Sequence, residues 1–302
     1  MSVQVKNLSK YYGQQKAVDD LSFVVGPGEI LGFLGPNGAG KSTTMKMLTG
    51  YLPAFAGSIC ICGFDISTNS LAAKKTIGYL SENNPLYLEM YIREYLQYVA
   101  SLYQIKSVSK AVDKSLELTG LRSESHKKIG TLSKGYRQRV GLAQAIIHDP
   151  AVLILDEPTT GLDPNQLTDI RQLIKALGAE KTVILSTHIM QEVEAVCDRV
   201  LILNHGKVVA DARVDTLLQA ASDNETYQAE FDRPINISEL RALKGMISVE
   251  SLSDRIFRLN AAATFSIREQ VFELAVKNEN MLLGLQKETS NLETVFKQLT
   301  KN

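Results

Sequence analysis

A glycine-rich loop near the start of the chain follows a short apolar run and precedes a stretch that can form a helix. Residues 35–43 read GPNGAGKST and fit the pattern G-x-x-x-x-G-K-[ST]. Residues 30–34, ILGFL, are typical of a buried strand, and residues 44–49 can continue as a helix. A strand, a tight turn and a helix start in this order aim backbone N–H groups and the positive end of the helix dipole at one point. The pattern predicts a loop that holds the phosphates of a nucleoside triphosphate; a purely structural glycine turn is the alternative.

The side chains of this phosphate loop (residues 35–43) predict distinct roles. We expect the amine of Lys41 to contact the β- and γ-phosphates and the hydroxyl of Ser42 to be a ligand of Mg²⁺. The other nucleotide-binding residues expected in the loop are Gly35, Asn37, Gly38, Ala39, Gly40 and Thr43.

The composition limits the classes of function. The 302 residues are 44% hydrophobic, which is enough for a large core, and the length predicts two domains. Lys plus Arg number 33, as do Asp plus Glu, so the chain lacks the basic excess of a nucleic-acid-binding protein. No stretch approaches the roughly 18 apolar residues that cross a bilayer. Residues 1–10 lack the apolar core of a signal peptide. We therefore expect a soluble, cytosolic chain that does not bind nucleic acid.

Short apolar runs alternate with helical patterns over the first two thirds of the chain. Residues 91–145 show apolar side chains at helical spacing and predict a helical insertion. The arrangement predicts an α/β domain over residues 1–215, with a mostly parallel sheet covered on both faces. Its strands are expected at residues 3–5, 21–25, 30–34, 58–62, 77–80, 151–155, 182–185 and 199–203.

Residues 224–302 contain no second phosphate loop and predict a small accessory α+β domain. The order of its patterns is strand, helix, two strands, helix, strand and a final helix over residues 291–299. This order predicts a ferredoxin-like unit.

Two adjacent carboxylates follow the apolar run at residues 151–155. Asp156 would stand at the tip of a strand, where it can hold Mg²⁺ directly or through water. Glu157 follows at once and can polarise an attacking water. An ordinary strand that ends in a polar turn is the alternative, but the phosphate loop upstream favours the catalytic interpretation.

The segment at residues 132–140, LSKGYRQRV, predicts a second anion site. Ser133 is a good N-cap for a helix over residues 137–145. Its hydroxyl and the N–H of Gly135 would face an anion at that helix start. Two chains arranged head to tail would use both anion sites, each capping the nucleotide held by the other. A surface helix with a routine serine cap is the alternative.

In motif order, residues 1–215 resemble the nucleotide-binding subunit of an ABC transporter. Residues 35–43 resemble Walker A, residues 152–157 resemble Walker B, and residues 132–138 resemble the signature segment that is diagnostic of this family. The resemblance implies a P-loop NTPase fold, ATP and Mg²⁺ as cofactors, and catalytic roles for Glu157 and Lys41. It also implies a D-loop at residues 161–164 with nucleotide-binding Asp163, a switch histidine at His188 and an adenine-stacking Tyr12. Tyr11 is the alternative to Tyr12, and either tyrosine could simply pack in a strand.

Three positions depart from the family pattern. Lys134 replaces the first glycine of the signature segment and Tyr136 replaces its glutamine, whereas Ser133 and Gly135 remain. Glu82 stands where the family has a glutamine. A glutamate oxygen can still meet Mg²⁺ or its water, so Glu82 is an expected metal contact.

The resemblance implies a function and partners. We expect ATP to drive pairing with a second cassette, an identical copy of this chain or a different one, and ATP hydrolysis to power export through a separate integral membrane permease. The permease would hold this cytoplasmic chain at the inner face of the cell membrane. Finer features resemble the ABC-2 type exporter subfamily, including its gliding-motility ATP-binding subunit. The cluster Tyr87, Leu88, Met90 and Tyr91 would dock the permease or, alternatively, form the core of the helical insertion.

Two rival functions stay open at this point. A soluble ABC ATPase acting on ribosomes or DNA would be expected to carry two cassettes, long coiled coils or a basic excess. A regulatory protein would use residues 224–302 to sense a ligand or to dimerise.

Overall fold

The computed structural model describes residues 1–222, 224–262, 264–288 and 296. The chain divides into two units, Met1–Arg213 and Val214–Asn302, each with its own apolar core. The first unit contains, in chain order, β1 (Val3–Tyr12), β2 (Gln15–Val25), β3 (Ile30–Leu34), α1 (Lys41–Leu48), β4 (Ala56–Ile61), β5 (Phe64–Asp65), α2 (Ser70–Lys75), β6 (Ile77–Leu80), α3 (Ile92–Leu102), α4 (Val108–Leu118), α5 (Lys134–Ile146), β7 (Val152–Asp156), α6 (Pro164–Gly178), β8 (Thr182–Thr187), α7 (Met190–Val196), β9 (Arg199–Asn204) and β10 (Lys207–Arg213).

The central sheet of the first unit has six strands in the order β10-β9-β3-β8-β7-β6. All neighbours are parallel except β10, which pairs antiparallel with β9. Every residue of β3, β7 and β8 is buried, as expected for parallel strands covered on both faces. The carboxyl ends of these three strands meet at one edge, where loops that follow them can share a site.

A second, antiparallel sheet packs onto the same core and was not predicted. Its order is β2-β1-β4-β5, and β1 extends to Tyr12, well beyond the expected strand at residues 3–5. The strand is longer because β1 and β2 form a hairpin whose pairing continues out to Tyr12 and Gln15. The buried side chains of this hairpin alternate, and they join the cluster that contains Phe33.

Helices α3, α4 and α5 form the helical insertion around an apolar cluster of their own. Ile92 and Leu96 of α3 pack with Val112 and Leu116 of α4 and with Val140 of α5, and all five are fully buried. The helical spacing of these residues is the reason that the sequence predicts helices here.

The second unit contains α8 (Val214–Ser222), β11 (Asn224–Phe231), α9 (Ile237–Arg241), β12 (Met246–Ser251), β13 (Ile256–Ala262), α10 (Ile267–Lys277) and β14 (Leu282–Glu288). Its sheet has the order β12-β13-β11-β14 with every pair antiparallel. This is the strand order of a ferredoxin-like β-α-β-β-α-β unit. The helix expected over residues 291–299 lies outside the described residues, apart from residue 296.

None of the helices in the described part of the chain combines the length and the apolar character that crossing a membrane requires.

Candidate functional site

The phosphate loop joins β3 to α1, and the surrounding backbone leaves no space for side chains at two of its glycines. A Cβ on Gly35 would lie 2.5 Å from the carbonyl oxygen of Leu203. A Cβ on Gly40 would lie 2.4 Å from the carbonyl oxygen of Ala17, and Gly40 has a φ of +103°, which favours glycine. The tight turn expected from the sequence is thus held by backbone on both sides.

Lys41 lies inside the loop. Its side chain is 5% exposed, and its amine donates to the carbonyl oxygens of Gly35 at 2.7 Å and Pro36 at 3.2 Å. The same Nζ lies 3.8 Å from Oε1 of Glu157. Burial lowers the pKa of Lys41, and the nearby carboxylates of Glu157, Asp156 and Glu82 oppose that shift. The amine is therefore positioned to exchange loop carbonyls for phosphate oxygens.

Asp156 ends β7 beside the first turn of α1. Ser42 donates its hydroxyl hydrogen to Oδ1 of Asp156 at 3.1 Å, and the hydroxyl of Ser186 donates to the same oxygen. Burial raises the pKa of Asp156, and the two serine hydrogen bonds act against that rise. The strand end and the helix start therefore present a carboxylate and a hydroxyl side by side.

These oxygens fit Mg²⁺. Hydroxyl, carboxylate and phosphate oxygens are the ligands that Mg²⁺ prefers. Ser42 supplies the hydroxyl and Asp156 the carboxylate. The carboxylate of Glu82 belongs to a residue that lines the same cavity as Ser42, the cavity over the phosphate loop. The described residues include no group of three or more His, Cys, Asp or Glu side chains that could hold a metal ion alone. Mg²⁺ usually takes one or two protein oxygens together with substrate phosphates and waters.

Glu157 is held by two neighbours at the edge of the central sheet. Nδ1 of His188 lies 2.9 Å from Oε2 and 3.1 Å from Oε1 of Glu157, and the Thr160 hydroxyl donates to Oε2 at 3.2 Å. Glu157 has a φ of +50°, a conformation that costs a non-glycine residue roughly 1–3 kcal/mol. The hydrogen bonds hold the carboxylate at the phosphate loop, where Oε1 lies 3.8 Å from Nζ of Lys41. His188 is 45% exposed, so its ring also faces the open side of the site.

A buried network behind His188 was missed by the sequence analysis. Glu192 of α7 is 1% exposed and accepts hydrogen bonds from the hydroxyls of Thr159 and Thr187, the latter at 2.6 Å. Thr187 in turn accepts from the N–H of Ile189 at 3.0 Å, so the network fixes the backbone on both sides of His188. The one signal available was an acidic residue one helical turn after the switch histidine, which is too common to single out.

A cavity of ≈ 540 Å³ lies over the phosphate loop. Ten of the expected site residues line it, namely Tyr12, Asn37, Gly38, Gly40, Lys41, Ser42, Thr43, Glu82, Glu157 and His188. Gln15, Ala17 and Thr160 also line it and were not anticipated. Gly35, Ala39 and Asp156 lie behind the lining, where they shape the loop and hold Ser42.

Of the two candidate aromatic residues, the structure places Tyr12 at the cavity. Tyr12 is 51% exposed and lines the opening. Tyr11 instead packs edge-on against Phe55, with ring centroids 4.8 Å apart.

Ser133, Gly135 and Asp163 are not among the described residues that line this cavity. Ser133 caps α5 by accepting from the N–H of Tyr136 at 3.4 Å, so the helix begins at Lys134 rather than at the expected Arg137. Oδ1 of Asp163 accepts from the N–H of Gln166 at 2.9 Å and caps α6. Within one chain, these three residues serve helix starts.

Known proteins resemble both the sequence and the fold. Residues 18–160 match the family model described as ABC transporter. The uncharacterized ABC transporter ATP-binding protein YhcH of Bacillus subtilis is 36% identical over 304 residues, which cover 99% of this chain and 95% of that protein. The Nod factor export ATP-binding protein I of Cupriavidus metallidurans is 32% identical over 301 residues, which cover 99% of this chain and 97% of that protein. A solved structure of the ATP-binding subunit of an ABC transporter has a TM-score of 0.66 at 30% identity, and the match covers 74% of this chain and 94% of that one.

The similarity confirms the predicted α/β fold of a P-loop NTPase, because the solved neighbour shares both the fold and 30% of the aligned sequence. Two relatives above 30% identity are matched over nearly their whole length. The chain therefore belongs to the ABC transporter family, as an ATP-binding subunit that hydrolyses ATP.

Proposed function

We propose that two copies of this chain bind Mg²⁺-ATP head to tail and that its hydrolysis powers export through a separate membrane permease. The observation that supports the catalytic part best is the cluster in which Glu157 stands between the Lys41 amine and the His188 ring. A buried cation, a fixed carboxylate and a loop of N–H groups form a site for in-line attack of water on a γ-phosphate.

Each residue has a defined task in this proposal. The N–H groups of the phosphate loop and the Lys41 amine bind the β- and γ-phosphates and stabilise negative charge as it develops. Glu157 aligns the attacking water and accepts its proton, and His188 holds Glu157 and can donate a hydrogen bond to the γ-phosphate. Ser42, Asp156 and Glu82 would hold Mg²⁺, which would neutralise phosphate charge. Tyr12 stacks on the adenine from the cavity opening.

The position of the signature segment supports the pairing of two copies. Ser133 and Gly135 stand at the start of α5 and do not line the cavity over the phosphate loop of their own chain. A helix start with free N–H groups and a serine hydroxyl is an anion site, and the nucleotide of a second copy is an anion of the right kind. Each chain would then supply half of each of two nucleotide sites.

Export through a permease rests on two observations. The Nod factor relative is named as an export protein and is matched by nearly this entire chain. In addition, Tyr87, Leu88 and Tyr91 are 52%, 46% and 43% exposed, whereas Met90 packs against the core of the helical insertion. The three exposed side chains lie close in sequence to Glu82 and would receive the permease on the inner face of the cell membrane. The narrower assignments, to the ABC-2 exporters and to gliding motility, are part of this proposal.

The catalytic assignment is tested by Glu157→Gln. Loss of the general base is expected to lower kcat by about 10²–10⁴-fold, while binding of ATP persists and an ATP-bound dimer accumulates. Steady-state hydrolysis and size-exclusion chromatography with ATP measure the two effects. The surface variant Glu180→Gln serves as control. Full hydrolysis by Glu157→Gln would contradict the role of Glu157.

The docking assignment is tested by Leu88→Glu, with Leu118→Glu as a matched control, because both leucines are 46% exposed. A charge at Leu88 is expected to prevent co-purification with the permease from detergent-solubilised membranes and to leave the ATPase activity of the isolated chain intact. Loss of folding in Leu88→Glu alone would instead assign this cluster to the core of the helical insertion. Co-purification lost equally in both variants would also argue against docking at Leu88.

A further inference from the structure

A second cavity, of ≈ 380 Å³, lies in the first unit between the helical insertion and α6. Its walls come from α4, from the C-terminal end of α5 with the loop that follows, and from the C-terminal part of α6. No described residue that lines this α4–α6 cavity also lines the cavity over the phosphate loop. Its volume and apolar walls are typical of small-molecule sites. Its large aliphatic side chains are those of Ile105, Leu118, Ile146, Ile147, Leu173 and Leu177.

One buried polar side chain of this cavity lacks a hydrogen-bond partner. Ser115 of α4 lines the cavity and is 3% exposed. Its carbonyl oxygen accepts from the Thr119 hydroxyl at 2.7 Å, but its own hydroxyl makes no hydrogen bond with any residue that the structure describes. Most buried polar groups are hydrogen-bonded. A free hydroxyl in an otherwise aliphatic wall therefore marks the place where a polar group of a ligand can bind.

The charged side chains of the cavity balance one another. The amine of Lys181 donates to Oδ1 of Asp149 at 2.7 Å and to the Pro150 carbonyl oxygen at 2.9 Å. The amine of Lys114 lies 4.0 Å from the same Oδ1. Glu180 supplies a second carboxylate. Because two cations face two carboxylates among the described lining residues, the cavity does not favour a charged ligand.

His148 forms a fixed and uncharged part of the wall. Its ring stacks on Tyr103 with the ring centroids 3.8 Å apart, and its Nε2–H donates to the Ile77 carbonyl oxygen at 3.0 Å. Burial lowers the pKa of His148, so the ring is mainly neutral near pH 7. The wall is therefore held in place before any ligand binds, which lowers the cost of binding.

We propose that the α4–α6 cavity binds a small uncharged amphiphile, a molecule with a hydrocarbon body and one hydroxyl group. The hydrocarbon contacts the aliphatic walls, and the hydroxyl forms a hydrogen bond with Ser115. A cavity of about 150 Å³ holds benzene, so the ≈ 380 Å³ available here accommodate roughly 10–15 non-hydrogen atoms. The inference does not rest on ATP-driven export, because the two cavities share no described lining residue.

The test titrates 1-octanol into the full-length chain and follows amide and methyl chemical shifts by NMR. We expect saturable binding with a Kd at or below about 1 mM, which is within the range that small ligands reach. Loss of two methylene groups in 1-hexanol should weaken binding about 15-fold, because each contributes about 0.8 kcal/mol on burial. Octanoate has the same chain length but a charged head, and it should bind at least about 10-fold more weakly than 1-octanol.

Two variants, each with a matched control, locate the site. Ser115→Ala removes the free hydroxyl and should weaken 1-octanol binding about 2–13-fold, whereas Ser109→Ala, at an exposed position of the same helix, should not. Ala176→Trp fills the cavity from α6 and should abolish binding. Ala176 is exposed, so the larger side chain is compatible with folding, and Ala179→Trp, at an exposed position outside the cavity lining, should bind like the parent chain.

Four results would overturn the inference. They are the absence of saturable shifts with 1-octanol, equal affinity in a variant and the parent chain where a loss is expected, displacement of 1-octanol by a non-hydrolysable ATP analogue, and tighter binding of octanoate than of 1-octanol. The third result would place the ligand in the nucleotide cavity, and the fourth would indicate an anionic ligand held by Lys114. A chain that binds 1-octanol as expected but hydrolyses no ATP would refute the proposed function and leave this inference intact.

Discussion

Replacing Glu192 should reveal how strongly His188, the switch histidine of our proposal, depends on a buried side chain that does not line the nucleotide cavity. Glu192 is 1% exposed, and both of its oxygens accept hydrogen bonds from threonine hydroxyls. Glu192→Ala removes both acceptors, leaves the hydroxyls of Thr159 and Thr187 buried without them, and opens a cavity. A lost hydrogen bond that leaves its partner unsatisfied costs about 1–3 kcal/mol, so the free energy of unfolding should fall by roughly 3–5 kcal/mol, cavity included. Glu192→Gln keeps the volume and one acceptor and should cost about 1–2 kcal/mol.

The stability loss converts into a measurable melting shift. For a domain of about 150–250 residues, 1 kcal/mol corresponds to about 2–4 °C in Tm. We therefore expect a shift of roughly 6–20 °C for Glu192→Ala and roughly 2–8 °C for Glu192→Gln. The exposed Glu180→Ala, a surface change worth at most about 0.5 kcal/mol, is the control. Differential scanning calorimetry of the three variants and the parent chain gives the comparison.

The same substitution should affect catalysis separately from stability. Thr187 is held by Glu192 and itself holds the N–H of Ile189, next to His188. Without that anchor the His188 ring no longer holds Glu157 in place, and a displacement near 1 Å can cost about 10²-fold in rate. Measured at a temperature where every variant is folded, kcat should fall for Glu192→Ala by about 10-fold or more. A Tm within 2 °C of the parent, or an unchanged kcat in the folded variant, would refute the assignment of Glu192 as the anchor.

Two further predictions concern other parts of the first unit. Tyr12→Ala should weaken ATP binding by about 5–150-fold, because stacking on a base contributes about 1–3 kcal/mol. Tyr11→Ala should leave the affinity intact and lower Tm through its lost contact with Phe55. Isothermal titration calorimetry and thermal melting measure the two effects, and equal behaviour of the two variants would contradict the prediction. The pKa of His148 is lowered by burial, and its Nε2–H donates to the Ile77 carbonyl at 3.0 Å while its ring stacks on Tyr103. As the pH falls, His148 therefore binds a proton in the unfolded chain before it does so in the folded chain. The parent chain should lose stability relative to His148→Gln as the pH falls below about 6.5. Urea unfolding at pH 7.5 and 5.5 gives the free energy of unfolding of both proteins, and an equal difference between them at the two pH values would argue against the prediction.

Some of the site could be predicted because the necessary information is local. The phosphate loop depends on a glycine turn between a strand and a helix, and neighbouring residues determine all three. Asp156 and Glu157 follow an apolar strand in the same way. The carboxyl ends of parallel strands gather at one edge, so a sequence with these motifs in order also predicts that Lys41, Asp156, Glu157 and His188 meet.

Other features depended on contacts between distant segments. The choice between Tyr11 and Tyr12 could not be made from alternation, because the pairing of β1 with β2 is irregular around Lys10 and Tyr11 and a one-residue slip reverses the face. The antiparallel sheet that supplies Gln15 and Ala17 to the cavity was missed for two reasons. The strand expected at residues 3–5 stopped well short of the hairpin turn that joins β1 to β2, and β4, the other partner of β1, lies far along the chain.

The sequence by itself predicted the chemistry that we propose for this protein: a phosphate loop, a hydroxyl and a carboxylate for Mg²⁺, and a general base, each encoded within a few adjacent residues. Only the tertiary structure decided which side chains support that chemistry. Glu192 contacts Thr159 and Thr187, the residue before His188, because α7 packs against β8. Such packing is set by the shape of the whole core, and no short stretch of sequence contains it.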